Sequence, residues 1–173
     1  MNFGMDLILG KWNLKAIVKE MVVGAILLFI FLNIISYFLK PELAYTQLPQ
    51  FEVTLLDGSS YSPKEGKPLV IHFWATWCPT CKLEISNIEI ISHEYEVLTI
   101  AVNSGDNAKL KAFMSEKNLS FKVVNDSDGV LAKQFNIEAY PTTFIYDASG
   151  ELKFTEVGYT STVGLLARIK MSQ

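Results

Sequence analysis

The chain has 173 residues, with fifteen Lys and Arg against eighteen Asp and Glu and a formal net charge of −3. That balance excludes a broad basic footprint for nucleic acid, and no RNA- or DNA-binding motif occurs. The length suits one compact domain with appendages, and much of the apolar half of the composition sits in one run near the N-terminus.

Residues 1–20, which include "LILGKWNLKAIVKEM", read as a short amphipathic segment lying on an inner membrane surface. The run "MVVGAILLFIFLNIISYFL", residues 21–39, carries no charge. As a helix it spans roughly 28 Å, close to the hydrocarbon thickness of a bilayer. A cleaved signal peptide would have a shorter apolar core and a small-residue cleavage site, and "KPELAYTQ" offers none. The run therefore reads as a transmembrane anchor. Lys11, Lys15 and Lys19 precede it and only Lys40 closely follows, so the positive-inside rule keeps the N-terminus cytoplasmic. The expected location is a bacterial inner membrane, crossed once, with everything beyond the anchor periplasmic or outside the cell.

Residues 40–48 read as a tether and residues 49–173 as one independent domain. An early strand is expected at residues 51–55, ended by a "DGSS" turn. "PLVIHFWA", residues 68–75, is a nearly continuous apolar run, as in a strand buried on both faces. A helix over residues 82–94 follows, its apolar stripe made by Ile85, Ile88 and Ile91 and widened by Leu83 and Ile90. Then come a buried strand at 97–102, a helix at 107–118, a strand at 120–124 and a short helix at 128–135. A β-hairpin turning at residues 147–150 and a helix at 162–171 close the chain. Strands alternating with helices and ending in a hairpin predict an α/β sheet covered by helices on both faces.

The only two cysteines lie in "HFWATWCPTC", where a central strand hands over to a helix. A thiol at a helix N-terminus faces the positive end of the dipole and unpaired N–H groups, which favour the thiolate. Cys78 is then the exposed nucleophile and Cys81, one turn in, the shielded partner that resolves a mixed disulfide. Pro79 suits a first helical turn. A closed zinc site is the competing reading, but it needs about four ligands, and His72 and His93 are the only histidines. Downstream, the proline of "AYPTTF" opens a strand, and from this segment alone either a cis or a trans bond before Pro141 is open.

With "KPLVIHFWATWCPTC" and "AYPTTFIYDASGE" about sixty residues apart, the chain resembles a thioredoxin-fold protein from residue 47 onward. The stretch "NSGDNAKLKAFMSEKNLSFKVVNDSD" adds a helix and a strand to the plain fold, and an N-terminal hairpin and an anchor precede it. These features are similar to the exported TlpA/ResA-like thioredoxins. "WATWCPTC", "SGD", "VVND-DG" and "EVGYT" most resemble their suppressor-of-copper-sensitivity protein D branch, a protein disulfide oxidoreductase.

The resemblance implies a redox-active disulfide between Cys78 and Cys81, and a cis Pro141 that packs against the dithiol and keeps metals away. It implies substrate contacts by Trp77, Tyr140 and Pro141, with the backbone of Tyr140 pairing to an extended substrate segment. Gly158 matches the family's close-approach glycine. Glu84, a solvated helix glutamate on its own residues, matches an acidic residue that exchanges a proton with Cys81. Two positions depart from the pattern. His72 stands where thioredoxins often carry an acid, and reads as a core histidine or as a substitute proton carrier. The pair is C-P-T-C, where many anchored reductases have C-x-P-C, so the direction of electron flow is not written in it.

The expected activity is thiol–disulfide exchange on exported proteins, in the reducing direction, with apocytochrome c or other periplasmic thiol proteins as clients. Electrons would come from a membrane thiol–disulfide donor, and no cofactor or metal is expected, since no flavin, haem or nicotinamide motif occurs. The alternatives are a disulfide-forming oxidase and a copper-handling chaperone, whose C-x-x-x-C spacing and distal histidine are missing. A peroxide-reducing reading needs a Thr-x-x-Cys context and a downstream arginine. Thr76 is one residue too close to Cys78, and Arg168 is the sole arginine.

Overall fold

The computed structural model describes residues 14–38, 46–64 and 66–173. Most of the predicted inner-surface segment, residues 1–13, and the tether up to residue 45 lie outside the described residues. The chain divides into two units, Met1–Phe38 and Leu39–Gln173. In the first, helix α1 (Leu14–Phe38) is continuous through the charged residues before the apolar run. Its segment Ile17–Ile35 is long and apolar enough to cross a membrane, and none of it is buried within the protein.

The second unit is built on a five-stranded mixed sheet. Its strands are β3 (Leu69–Trp74), β4 (Glu96–Val102), β5 (Lys122–Asp126), β6 (Thr142–Tyr146) and β7 (Leu152–Val157), in the order β5-β4-β3-β6-β7. Strand β3 runs parallel to β4 and antiparallel to β6, and all six of its residues are buried. That is why it reads as an unbroken apolar run. The early strand shrinks to β1 (Val53–Thr54), paired only with β2 (Ser60–Tyr61) as a small hairpin. Residues 46–48 lie against the β6–β7 turn, through Leu48 N–H to Gly150 O (2.7 Å) and Leu152 N–H to Thr46 O (2.9 Å).

Helices cover both faces, as predicted. Helices α2 (Pro79–Ser92), α3 (Asn107–Glu116) and α5 (Thr162–Met171) bury Ile85, Ile88, Leu110 and Leu165 with Val70 and Trp74 of β3. On the other face, α4 (Val130–Gln134) and the β1–β2 hairpin pack with Ile71, Phe73 and Phe144. The inserted helix and strand are α3 and β5. The strand lies two residues later than predicted and pairs Val124 with Ile100.

The α2 stripe needs correction. Ile85, Ile88 and Ile91 face the core, but Leu83 is 71% and Ile90 54% exposed. The buried row instead takes in Cys81 and Glu84, which follow the same three- and four-residue spacing as the isoleucines. The helix also starts earlier than predicted, at Pro79, so the cysteines belong to its first turn.

Candidate active site: a dithiol at a strand–helix junction

Four segments meet at one end of the sheet. Register pairs Phe73 with Thr142 and Thr142 with Val157. That brings the end of β3, the start of β6 and the end of β7 side by side, with Cys78, Pro141 and Gly158 just beyond them. Gly158 N–H donates to Pro141 O at 2.8 Å. The Tyr140–Pro141 bond is cis. Gly158 has a φ of 89° and an added Cβ there would meet no other atom, so its left-handed backbone, not crowding within the chain, selects glycine.

Cys78 is the N-cap of α2, with extended backbone, and its Sγ accepts from Cys81 N–H at 3.2 Å. The two cysteines are joined as a disulfide, with a Cα–Cα distance of 5.3 Å. Cys81 is fully buried as expected, but Cys78, expected to be exposed, is buried too in the disulfide-bonded chain, at 5% exposure. Sγ of Cys78 lies 3.6 Å from Tyr140 O, a contact that a reduced thiol could fill with its proton. Trp77 is 55% exposed and stands edge-on to the Tyr140 ring, at 5.6 Å and 84°. The dithiol is therefore flanked by an aromatic pair, exposed Trp77 and half-buried Tyr140, and by the backbone before the cis proline.

Beneath it lies a buried polar row. Register places Thr99, His72, Thr143 and Glu156 across β4, β3, β6 and β7 on the face that α2 and α5 cover. His72 bonds through Nδ1 to Thr143 Oγ1 at 2.9 Å, while its Nε2 has no partner among the described residues. Burial pushes the imidazole down to about 3, so it is neutral in the folded chain. This is a core histidine, half of its hydrogen-bonding capacity unused.

Glu84 is not the solvated glutamate that its helix position suggests. It is fully buried, its Oε1 accepting from Thr160 N–H at 3.2 Å and its Oε2 without a partner among the described residues. Burial holds its carboxyl up to about 8, against the pull of the Thr160 N–H and with a further push from the Glu156 charge. Glu156 itself is paired with Arg168, whose Nε donates at 2.7 Å. Asn87, one turn beyond Glu84, binds Thr160 O (3.0 Å), the Tyr159 hydroxyl (3.3 Å) and Thr162 Oγ1 (2.9 Å), so α2 grips the β7–α5 connection.

The structure thus gathers Cys78, Cys81, Trp77, Tyr140 and Pro141 at one end of the sheet, with Glu84 and His72 buried beneath the helix that carries the dithiol. His93 lies apart, at the C-cap of α2, paired with Glu89. Thr143, Glu156, Thr160 and Asn87 escaped the sequence reading. The available signal was a threonine-rich strand start, "PTTF", set opposite a histidine strand; nothing local marks Asn87.

Residues 45–155 match the AhpC/TSA family model. The chain belongs to that family. It is 34% identical over 120 residues to "Thioredoxin-like protein YneN" of Bacillus subtilis, covering 65% of this chain and 70% of that protein. It is 32% identical over 116 residues to "Sporulation thiol-disulfide oxidoreductase A" of the same organism, covering 62% and 70%. Its fold matches the crystal structure of StoA from Bacillus subtilis, with a TM-score of 0.63 and 25% identity, covering 71% of this chain and 98% of that one. The AhpC/TSA chain described here has the thioredoxin fold and is a thiol–disulfide oxidoreductase of the type that includes StoA.

Proposed function

We propose that this chain reduces disulfides in exported proteins through Cys78 and Cys81. Attack by the Cys78 thiolate breaks the substrate S–S bond and forms a mixed disulfide, and the first substrate sulfur leaves and takes up a proton. Cys81 then loses its proton to Glu84 and attacks Cys78 Sγ. The second substrate thiol is released and the Cys78–Cys81 disulfide remains. Two electrons have passed to the substrate, and a membrane thiol–disulfide donor restores the dithiol. Run in reverse, the same steps form disulfides.

The observation that carries this reading is the placement of Cys78 as the cap of α2, with a buried carboxyl one turn beyond Cys81, one oxygen of which has no partner among the described residues. The cap's unpaired N–H groups stabilise the thiolate of an attacking sulfur. A carboxyl held near 8 can both take and return a proton at neutral pH. Trp77, Tyr140 and Pro141 form the substrate-facing surface, the backbone of Tyr140 pairing with an extended client segment.

Resemblance of the motifs to the TlpA/ResA-like group, and within it to the suppressor-of-copper-sensitivity protein D branch, favours apocytochrome c or other periplasmic thiol proteins as clients. The same reading makes residues 21–39 a single membrane anchor, with residues 1–20 cytoplasmic, a tether at 40–48 and the catalytic domain, residues 49–173, outside the inner membrane. The deciding measurement is the redox state of the pair in growing cells, by acid quenching and mass-tagged thiol alkylation. A mostly reduced pair is expected. A mostly oxidised pair that becomes reduced when the membrane oxidant is removed would make the protein a disulfide donor.

A further inference from the structure

The Ser104-Gly105-Asp106 motif takes no part in the chemistry above, yet it touches the loop that carries the nucleophile. We infer that Ser104 is a positioning residue for Trp77 and Cys78, through which the inserted segment helps to hold the substrate-facing surface. The inference rests on the dithiol reading and adds a residue to it.

The backbone explains why a serine points inward at this place. Asn103 (φ 47°) and Gly105 (φ 93°) are both left-handed and bracket Ser104 just after the end of β4. The turn is tied on both sides. Asn103 N–H donates to Asp126 O at 3.0 Å, and Asn125 Nδ2 donates to Gly105 O at 3.0 Å. Asp106 then caps α3 by accepting from Lys109 N–H at 2.8 Å. Held this way, Ser104 is buried, although it sits in a connecting loop.

Its hydroxyl has one proton and two lone pairs. The proton goes to Val102 O at 3.1 Å, which leaves the oxygen to accept from Thr76 N–H at 3.0 Å. Pairing of β3 with β4 ends at Trp74 and Ala101, so no strand neighbour takes the Thr76 N–H. The Ser104 bond is the tie between sheet and active-site loop at the last residue before Trp77. Past it, Cys78 N–H turns back to Ala75 O at 3.2 Å and α2 begins. Trp77 itself is exposed and has the Tyr140 ring on one side. Fixing the peptide at Thr76 therefore fixes where the Trp77 ring stands and how Cys78 enters its helix. The hydroxyl stands at the start of the segment that carries α3 and β5, so that segment reaches the dithiol loop through it.

The test compares the parent, Ser104→Ala and Ser104→Thr as full chains in detergent micelles. The substrate is a dye-labelled peptide disulfide, with dithiothreitol as the reductant. Ser104→Ala is expected to raise KM about ten-fold, below the hundredfold that a 1 Å misplacement can cost, with kcat falling by less. The fluorescence difference between oxidised and reduced protein, with Trp77→Phe as the blank, should shrink in the alanine variant. Threonine, which keeps the hydroxyl, should restore both readouts. Unchanged KM and unchanged Trp77 fluorescence overturn the inference. So does a joint loss of kcat and Tm that threonine does not restore, since the bond would then serve the fold alone. If Cys78→Ser retains the parent's activity, it is the dithiol reading that fails, a result distinct from either.

Discussion

Both faces of the central sheet bury an apolar cluster, but they differ in the polar groups buried with it. The face under α4 and the β1–β2 hairpin packs Phe73 against Phe135 (5.2 Å) and Phe144 (5.9 Å). Its polar members include Tyr61, Tyr146 and Asp126, whose side-chain oxygens accept from the N–H groups of Leu131 and Ala132 in α4. Burial pushes both phenols upward, Tyr146 to about 12, so neither loses its proton near neutral pH. The face under α2 and α5 holds His72, Thr99, Thr143 and Glu84 within the same kind of apolar packing. His72 Nε2, Trp74 Nε1, Thr99 Oγ1 and Glu84 Oε2 all lack partners among the described residues. An unsatisfied buried polar atom costs about 1–3 kcal/mol, and a well-packed fold has few. The hydroxyls of Tyr61 and Tyr146 on the other face also lack partners among the described residues, so the contrast is one of kind. Beneath the dithiol the unpartnered atoms include an imidazole nitrogen and a carboxyl oxygen, which titrate between about 3 and 8, whereas phenols pushed upward do not.

The sharpest way to break that contrast is to damage the apolar face. Phe73→Ala should lower unfolding stability by about 3–5 kcal/mol, measured by urea denaturation. The pH dependence of stability should stay parallel to the parent's, and a changed profile would mean that the two faces are not independent.

The second test uses the two titrating groups. Glu84, raised from 4.5 to about 8, keeps its proton in the folded state after the unfolded chain has lost it. Stability from this group is full below 4.5 and falls as pH rises to 8. His72, lowered from 6.5 to about 3, stays neutral when folded while the unfolded chain takes up a proton. Its contribution is full above 6.5 and falls as pH drops to 3. Each slope approaches about 1.4 kcal/mol per pH unit, and between 4.5 and 6.5 they oppose and cancel. Their joint effect is a plateau over that interval with a decline on either side. Glu84→Gln should remove the alkaline decline and His72→Asn the acidic one, as read from denaturation midpoints across pH. Two variants with the parent's profile would remove the titrating face from the account.

The smallest effect concerns the bond inside the row. Thr143→Val keeps the shape but takes the hydroxyl from His72 Nδ1, and should cost about 1–3 kcal/mol. A loss below ~0.5 kcal/mol would show that the row tolerates one more unpaired atom.

The sequence made the long apolar helix, the dithiol junction and the closing hairpin readable because each rests on local signals: an uncharged run, a cysteine pair before a helix, and turn residues between strands. The sense of α2 was harder. Leu83 and Ile90 extended its apolar stripe and Glu84 interrupted it, so hydrophobicity turned the helix slightly the wrong way. The packing of α5 and the β7–α5 connection decided which side faced inward, and that contact joins residues 76 positions apart. The row Thr99–His72–Thr143–Glu156 is equally non-local, since it exists only once β4, β3, β6 and β7 are laid in register. The strand shortened to Val53–Thr54 has the same cause, because its only strand partner is the short β2.

The sulfur of Cys78 closes the first turn of α2 by accepting the Cys81 N–H, so the atom that reacts is also the atom that starts the helix. A thiolate is a stronger acceptor than a disulfide sulfur, and a good cap is worth about 1 kcal/mol. Reduction therefore firms the helix start, and the helix returns that preference as reduction potential. On a two-electron couple, where 30 mV corresponds to about 1.4 kcal/mol, a whole cap amounts to roughly 20 mV, and because the disulfide sulfur already accepts this bond the shift toward the reduced form is a fraction of that. Helix cooperativity and electron affinity are here two readings of one hydrogen bond.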